Sequence, residues 1–398
     1  MQCGRFSSRS WTKRLGRWND LRRYSSAEFL TENVGKLMPV DKGLVQEGIA
    51  PAVLRHEQLT GRFDSLIRHQ DVRLNEELDN MIREGKVMTD SNVYVLSGPT
   101  KCGKTMSMLR LVEQRRKSGW LVLFVRGRKW SFGKYFYNGA YKTRKEKMQG
   151  VEPLWYDRPE QSKELLQSLK TAHGDILGDL PVLTESEIVK ESKAESILEL
   201  VDYGLSLHDR LDEDWFSFPR LLGDATDAVM EELKAVEDVP VMIAVDEYPS
   251  FFGMSGLSTP DGNRLVSQAL RFSWHFRDPM KLANSIKNGV FVASLSGRYI
   301  AFLNTKKEKA TSCRMVPLNE NDHYNLVKDP SDVRHVGDIT RGLTYEIPRF
   351  TEEESRAVLT YTNQIGLVSD VFSPEKANYL HALTQGTPEE LLTICKAF

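Results

Sequence analysis

Residues 93 to 111, VYVLSGPTKCGKTMSMLRL, pass from an apolar run of strand length through a glycine-bounded loop into a helical pattern. The loop reads Gly98-Pro99-Thr100-Lys101-Cys102-Gly103-Lys104-Thr105, which fits G-x-x-x-x-G-K-[ST] in the strand-then-helix context that gives this pattern meaning. The glycines let the backbone wrap closely, so that its N–H groups and the N-terminus of the following helix point at phosphate oxygens. Lys104 is placed to reach the β- and γ-phosphates of a nucleotide, and Thr105 to offer its hydroxyl to Mg²⁺.

Such a loop needs a buried sheet behind it, and three further apolar runs supply candidates: WLVLFV at 120–125, VPVMIAV at 239–245 and GVFVASLS at 289–296. Short apolar runs alternating with helical patterns predict a parallel sheet covered by helices on both faces. The expected fold class is α/β, a P-loop NTPase of the AAA+/ASCE type, with a small C-terminal helical domain. The run at 239–245 ends in Asp246-Glu247. An acid at a strand tip can hold the water shell of Mg²⁺, so Thr105 and Asp246 are the candidate metal residues, and Glu247 is the candidate catalytic base for an attacking water. The run at 289–296 ends in Ser294 and Ser296, with Arg298 beyond. P-loop ATPases with an inserted central strand place a γ-phosphate-sensing polar residue there, and turn chemistry accounts for the serines equally well. No N-K-x-D sequence follows the Asp246 strand, so the motifs leave the base open between guanine and adenine.

Of the 398 residues, 40% are hydrophobic and 27% charged, which suits a globular chain of two or three domains. No window approaches the 18 or more apolar residues of a membrane span. The four cysteines, Cys3, Cys102, Cys313 and Cys395, show neither zinc nor disulfide spacing and fit a reducing compartment. Residues 1–24 carry seven Arg/Lys and the single acid Asp20, the composition of a mitochondrial presequence, with a disordered basic arm as the alternative. Residues 25–90 read as a helical extension in which Phe63, Leu66, Ile67, Leu74, Leu78 and Ile82 share a helical spacing. Residues 91–340 form the nucleotide-binding domain, with a long insertion at about 126–238. The insertion opens with eight Lys/Arg against one Glu and six aromatics over 126–147, and continues with 22 acids against eight Lys/Arg over 152–238. The first part can meet RNA, through Arg126, Arg128, Lys129, Lys134, Lys142, Arg144 and Lys145, with Trp130 and its neighbours as stacking faces or as core. Residues 341–398 predict three short helices, opened by the capping signals Thr351–Glu354, Ser373-Pro374 and Thr387–Glu390.

The blocks SGPTKCGKTMSM, GWLVLFVRGRKW, ATDAVMEELK, MIAVDEYPSFFG, GVFVASLS, YEIPRFTEEESRAVLTYTNQIGLV and ALTQGTPEELLTICKAF resemble the mitochondrial ribosomal death-associated protein 3 family. The resemblance covers roughly residues 90–130, 220–300 and 340–398. It implies a structural protein in the head of the mitochondrial small ribosomal subunit, in the matrix, that binds a guanine nucleotide. GTP or GDP with Mg²⁺ is the implied ligand, with ATP left open. The implied partners are small-subunit ribosomal RNA and neighbouring ribosomal proteins, with no homo-oligomer. The family's phosphate-loop role falls on Gly98, Gly103, Lys104 and Thr105, and its strand-tip acid on Asp246. Glu247 gives the chain a better hydrolytic acid than a structural nucleotide site needs, so an active NTPase switch is the rival expectation. Its charge-stabilising arginine would be Arg298 or one from a neighbour; Arg341, in ITRGL, lacks the flanking pattern of an oligomer-facing finger.

Overall fold

The computed structural model describes residues 31–83, 92–131, 138–140, 145, 148–149, 155–252, 254–258, 264–295, 342–368 and 371–395. At its centre is a five-stranded parallel sheet of β1 (Val93–Ser97), β2 (Leu121–Arg126), β3 (Val241–Asp246), β4 (Gly289–Ser294) and β5 (Leu343–Glu346). Their order in space is β5-β1-β4-β3-β2. Period-two alternation sorts the side chains between two cores. Val93, Val95, Leu123, Ile243, Val245 and Phe291 face one cluster, while Tyr94, Leu96, Val122, Phe124, Met242 and Val292 face the other. Both faces are covered, which is why β1 to β4 read as unbroken apolar runs. The edge strand β5 escaped the sequence reading because only Tyr345 of its four residues is buried, so it lacks such a run.

The helix that follows the phosphate loop, α2 (Lys104–Lys117), packs Met108, Leu109, Leu111 and Val112 into the second core. Residues 31–83 lie against it. Within them α1 (His69–Arg83) is preceded by Asp64–Leu66, which pairs antiparallel with Leu37–Pro39. Phe63, Leu66 and Ile67 are therefore buried outside the helix that their spacing suggested. A distant strand partner decided their conformation, and local periodicity carries no trace of it. On the other sheet face lie α3 (Pro159–Asp179), α4 (Ile197–Asp209) and α5 (Phe218–Ala235). The acid-rich segment thus turns its leucines inward, Leu166, Leu200, Leu222 and Leu233 among them.

The chain closes with α6 (Glu352–Gln364), α7 (Pro374–Thr384) and α8 (Pro388–Cys395). Thr351 and Glu354 make a reciprocal capping box, and the Ser373 side chain caps α7 from the Lys376 N–H. Among the described residues no helix is long and apolar enough to cross a membrane.

The β2 edge of the sheet is covered from α3. His173 leaves helical geometry, at φ −137°, and its Nε2 lies 3.1 Å from the Val122 N. Burial drives the imidazole down to about 3, with repulsion from Arg116 adding to it. An unfolded histidine titrates near 6.5, so the neutral ring stabilises the fold above that value and the contribution is lost as the pH falls from about 6.5 toward 3. Replacing His173 by Gln, which keeps a polar side chain but cannot be charged, should flatten the fall in melting temperature between about pH 6.5 and 4.5. A parallel acid profile for the variant and the parent chain would assign that loss to other groups.

Candidate nucleotide site

The phosphate loop leaves the carboxyl end of β1 and holds three positive φ angles: Gly98 at 132°, Lys101 at 64° and Gly103 at 106°. At Gly98 the requirement is also steric, because a Cβ there would lie 2.1 Å from the Ile347 carbonyl oxygen. Lys104 is buried, and its Nζ donates to the carbonyls of Gly98 at 2.9 Å and Pro99 at 2.6 Å. Cys102 is buried, with its Sγ 3.6 Å from the same ammonium. An ammonium has three donors on a rotatable stem, so this lysine can exchange loop carbonyls for phosphate oxygens with little movement.

Asp246, Glu247 and Ser294 meet the loop because β1, β3 and β4 are parallel and neighbouring, so their carboxyl ends open on one cavity. The Ser294 hydroxyl donates to Asp246 Oδ1 and accepts the Glu247 N–H at 3.1 Å. Ser294 thereby orients the strand-tip acid, a role the sequence did not disclose. Asp246 is buried, and its Oδ2 has no hydrogen-bond partner among the described residues. A buried carboxylate oxygen with no donor is the kind of group that a cation or its water shell satisfies. Glu247 sits in the left-handed region at φ 55°, and its Oε2 is 3.0 Å from Arg126 Nε. Burial raises the Glu247 carboxyl above its usual range, with Arg126 pulling against that and Asp246 adding to it.

The far wall of the cavity comes from outside the sheet. Arg68 is buried and donates from Nε at 2.8 Å and from Nη2 at 2.9 Å to the two oxygens of Glu354. Its Nη1 reaches the carbonyls of Cys102 at 3.2 Å and Pro348 at 2.9 Å, and its guanidinium lies 5.3 Å from the centre of the Phe350 ring. One side chain therefore joins the N-terminal segment, the phosphate loop and the cap of α6. Lys101 adds an exposed link from the loop to Glu389 of α8 at 3.3 Å. The cavity they enclose has a volume of about 1020 Å³, enough for a nucleotide.

Thr100 to Thr105, Asp246 and Glu247 all line this cavity. So do Arg126, Arg128 and Lys129, at the end of β2 and on the short helix Gly127–Ser131, so these three face the phosphate loop. Lys129 is paired with Glu164 at 2.7 Å, and Trp130 is core, stacked on Phe272 with ring centres 3.8 Å apart. Lys145 is exposed and is not among the residues that line the cavity. Ser296, Arg298, Arg341, Lys134, Lys142, Arg144 and the segment 1–24 lie outside the described residues. Sequence reasoning missed Arg68 and Asp64, which stand in the mixed polar and apolar stretch GRFDSLIRHQD with no local pattern to mark them. Arg68→Leu should lower unfolding stability by about 3–5 kcal/mol in denaturant titration, since it strands Glu354 and several carbonyls. A change within about 0.5 kcal/mol would mean that the network adds nothing net.

A glycine-wrapped loop, its lysine, a buried acid with an open oxygen and the strand order together define a P-loop NTPase-like fold. The family model for mitochondrial ribosomal death-associated protein 3 matches residues 65–394, and the chain belongs to that family. That family is one of mitochondrial ribosomal proteins. Among curated proteins none matches. Similar solved structures include a Walker-type ATPase of Pyrococcus abyssi, 13% identical with a TM-score of 0.37, matching over 82% of this chain and 65% of that one. Another is the ORC2 protein of Aeropyrum pernix, 14% identical with a TM-score of 0.34, matching over 88% of this chain and 63% of that one. The chain spans less than two thirds of the length of either.

Proposed function

We propose that this chain is a structural protein of the mitochondrial small ribosomal subunit that holds a guanine nucleotide, GTP or GDP, with Mg²⁺ as an internal staple. The carrying observation is the pairing of an intact phosphate cradle with a candidate base that is engaged elsewhere. Gly98, Gly103 and Lys104 would hold the β-phosphate, while the Thr105 hydroxyl and, through water, Asp246 Oδ2 would hold the ion. Bound Mg²⁺ supplies charge neutralisation for the phosphates. Glu247, by contrast, is tied to Arg126 at 3.0 Å, which withholds it from an attacking water. Nucleotide in this cavity would touch the N-terminal segment, the sheet, α6 and α8 at once, so ligation consolidates the fold. In this reading the protein acts as a single copy in the matrix. Contact with small-subunit ribosomal RNA falls to surfaces other than Arg126, Arg128 and Lys129.

Free ligand at 100 times its dissociation constant stabilises a folded protein by about 2.7 kcal/mol. GDP with Mg²⁺ should therefore raise the melting temperature of the full chain, and Lys104→Ala should remove the increase. In gradients of mitochondrial lysate with magnesium, the parent chain should stay with small-subunit RNA through a high-salt wash and the Lys104→Ala chain should be depleted there. Normal incorporation of that variant would remove the stapling role.

One observation favours the second reading, an NTPase switch: Glu247 is half-buried beside Asp246 within the same cavity as Lys104. If Arg126 restrains it, Arg126→Ala should raise GTP hydrolysis about tenfold or more over the parent chain, and adding Glu247→Gln should return it to background. Turnover by the parent chain that Glu247→Gln alone abolishes would favour the switch.

A further inference from the structure

We infer that Asp64 is the residue that reads the base, and that its carboxylate selects guanine over adenine. The inference rests on the nucleotide reading above and adds a specificity determinant to it. Five carboxylates line the cavity: Glu47, Asp64, Asp246, Glu247 and Glu389. Three are committed to cations, Glu47 to Arg116, Glu247 to Arg126 and Glu389 to Lys101. Asp246 belongs to the phosphate end, at the tip of β3 beside Ser294. Asp64, like Asp246, has a neutral partner, but it stands on the N-terminal hairpin and its partner is the Tyr361 hydroxyl of α6, which donates to Oδ2. A carboxylate has about four acceptor sites, so this bond fixes the group's orientation and leaves most of its accepting capacity.

The location suits a base. Asp64 stands in the hairpin strand that is bolted to α2 by Arg110, whose Nη2 reaches the Ser65 carbonyl at 3.2 Å and whose Nη1 reaches the Pro39 carbonyl at 2.7 Å. Arg110 is less than two helical turns beyond Lys104, so the hairpin lies alongside the start of the phosphate-binding helix. Leu37 and Leu66 on this hairpin, with Val358 on α6 and Leu392 on α8, give the cavity apolar surface for the faces of a planar ring. Guanine presents two adjacent donors on its pairing edge, N1–H and the 2-amino group, which match a carboxylate. Adenine presents an acceptor at N1 and no 2-amino group, so the same carboxylate opposes it. A polar group left unmatched in a partly buried site costs far more than a lost apolar contact.

Binding to the full chain, measured by titration calorimetry with GDP, ADP and xanthosine diphosphate in Mg²⁺, tests this. The parent chain should prefer GDP to ADP by about tenfold or more. Asp64→Asn should lose most of that preference and gain affinity for xanthosine diphosphate, whose 2-carbonyl accepts from the carboxamide; the gain also shows that the variant is folded. An unchanged GDP-to-ADP ratio in Asp64→Asn, with GDP still preferred, would remove Asp64 as the reader and leave the nucleotide site standing. Equal or tighter binding of ADP by the parent chain would overturn guanine selection and this inference with it. Absence of all three affinities in the parent chain would overturn the nucleotide reading itself.

Discussion

Arg68 is the constraint on which the site depends. Its guanidinium is desolvated, and it is tolerable there only because Glu354, three carbonyls and the face of Phe350 surround it. The planar fork allows it to satisfy partners from two separate stretches of chain and so tie them to its own, which a lysine's single point charge does not. Glu354 serves the same junction twice, accepting from Arg68 and from the Thr351 N–H of its own capping box. The phosphate loop is thus held from behind by the elements that form its lid.

A second set of buried arginines works on the same principle from α2. Arg110 holds the hairpin carbonyls, Arg115 pairs with Asp79 of α1, and Arg116 reaches Glu47 and the Val122 carbonyl. Buried cations of this kind do not by themselves make a fold more stable, because their desolvation offsets most of the attraction. Their consequence is geometric: the N-terminal segment is placed against the phosphate-binding helix in one register, and Asp64 with it. The left-handed backbone at Glu247 is the same kind of feature on a smaller scale, a conformation costing about 1–3 kcal/mol that persists because Ser294 and Arg126 hold both its amide and its carboxylate.

The phosphate loop and the strand-tip acid were legible because both are local: Gly98, Gly103, Lys104 and Thr105 fall within one turn of chain, and Asp246 ends an apolar run. Strands β1 to β4 were legible because burial on both faces leaves an uninterrupted apolar signature. Edge strand β5 has one buried residue and no such signature. The basic strip at 126–147 shows the limit from the other side. Its composition suggested an outward surface, yet Arg126, Arg128 and Lys129 line the cavity, because β2 ends beside β3 in register, with Arg126 opposite Asp246.

By itself the sequence determined an α/β sheet, a phosphate cradle at the end of its first strand, an acid at the end of its third, and a C-terminal set of capped helices. All of these follow from short-range physics, namely glycine torsions, apolar periodicity and side-chain capping of the backbone. Only the tertiary structure decided what surrounds the cradle. The pairing of Arg126 with Glu247, of Arg68 with Glu354 and of Asp64 with Tyr361 joins residues separated by 121, 286 and 297 positions. Each pair is set by desolvation and geometry after the elements have packed, and no local pattern encodes it.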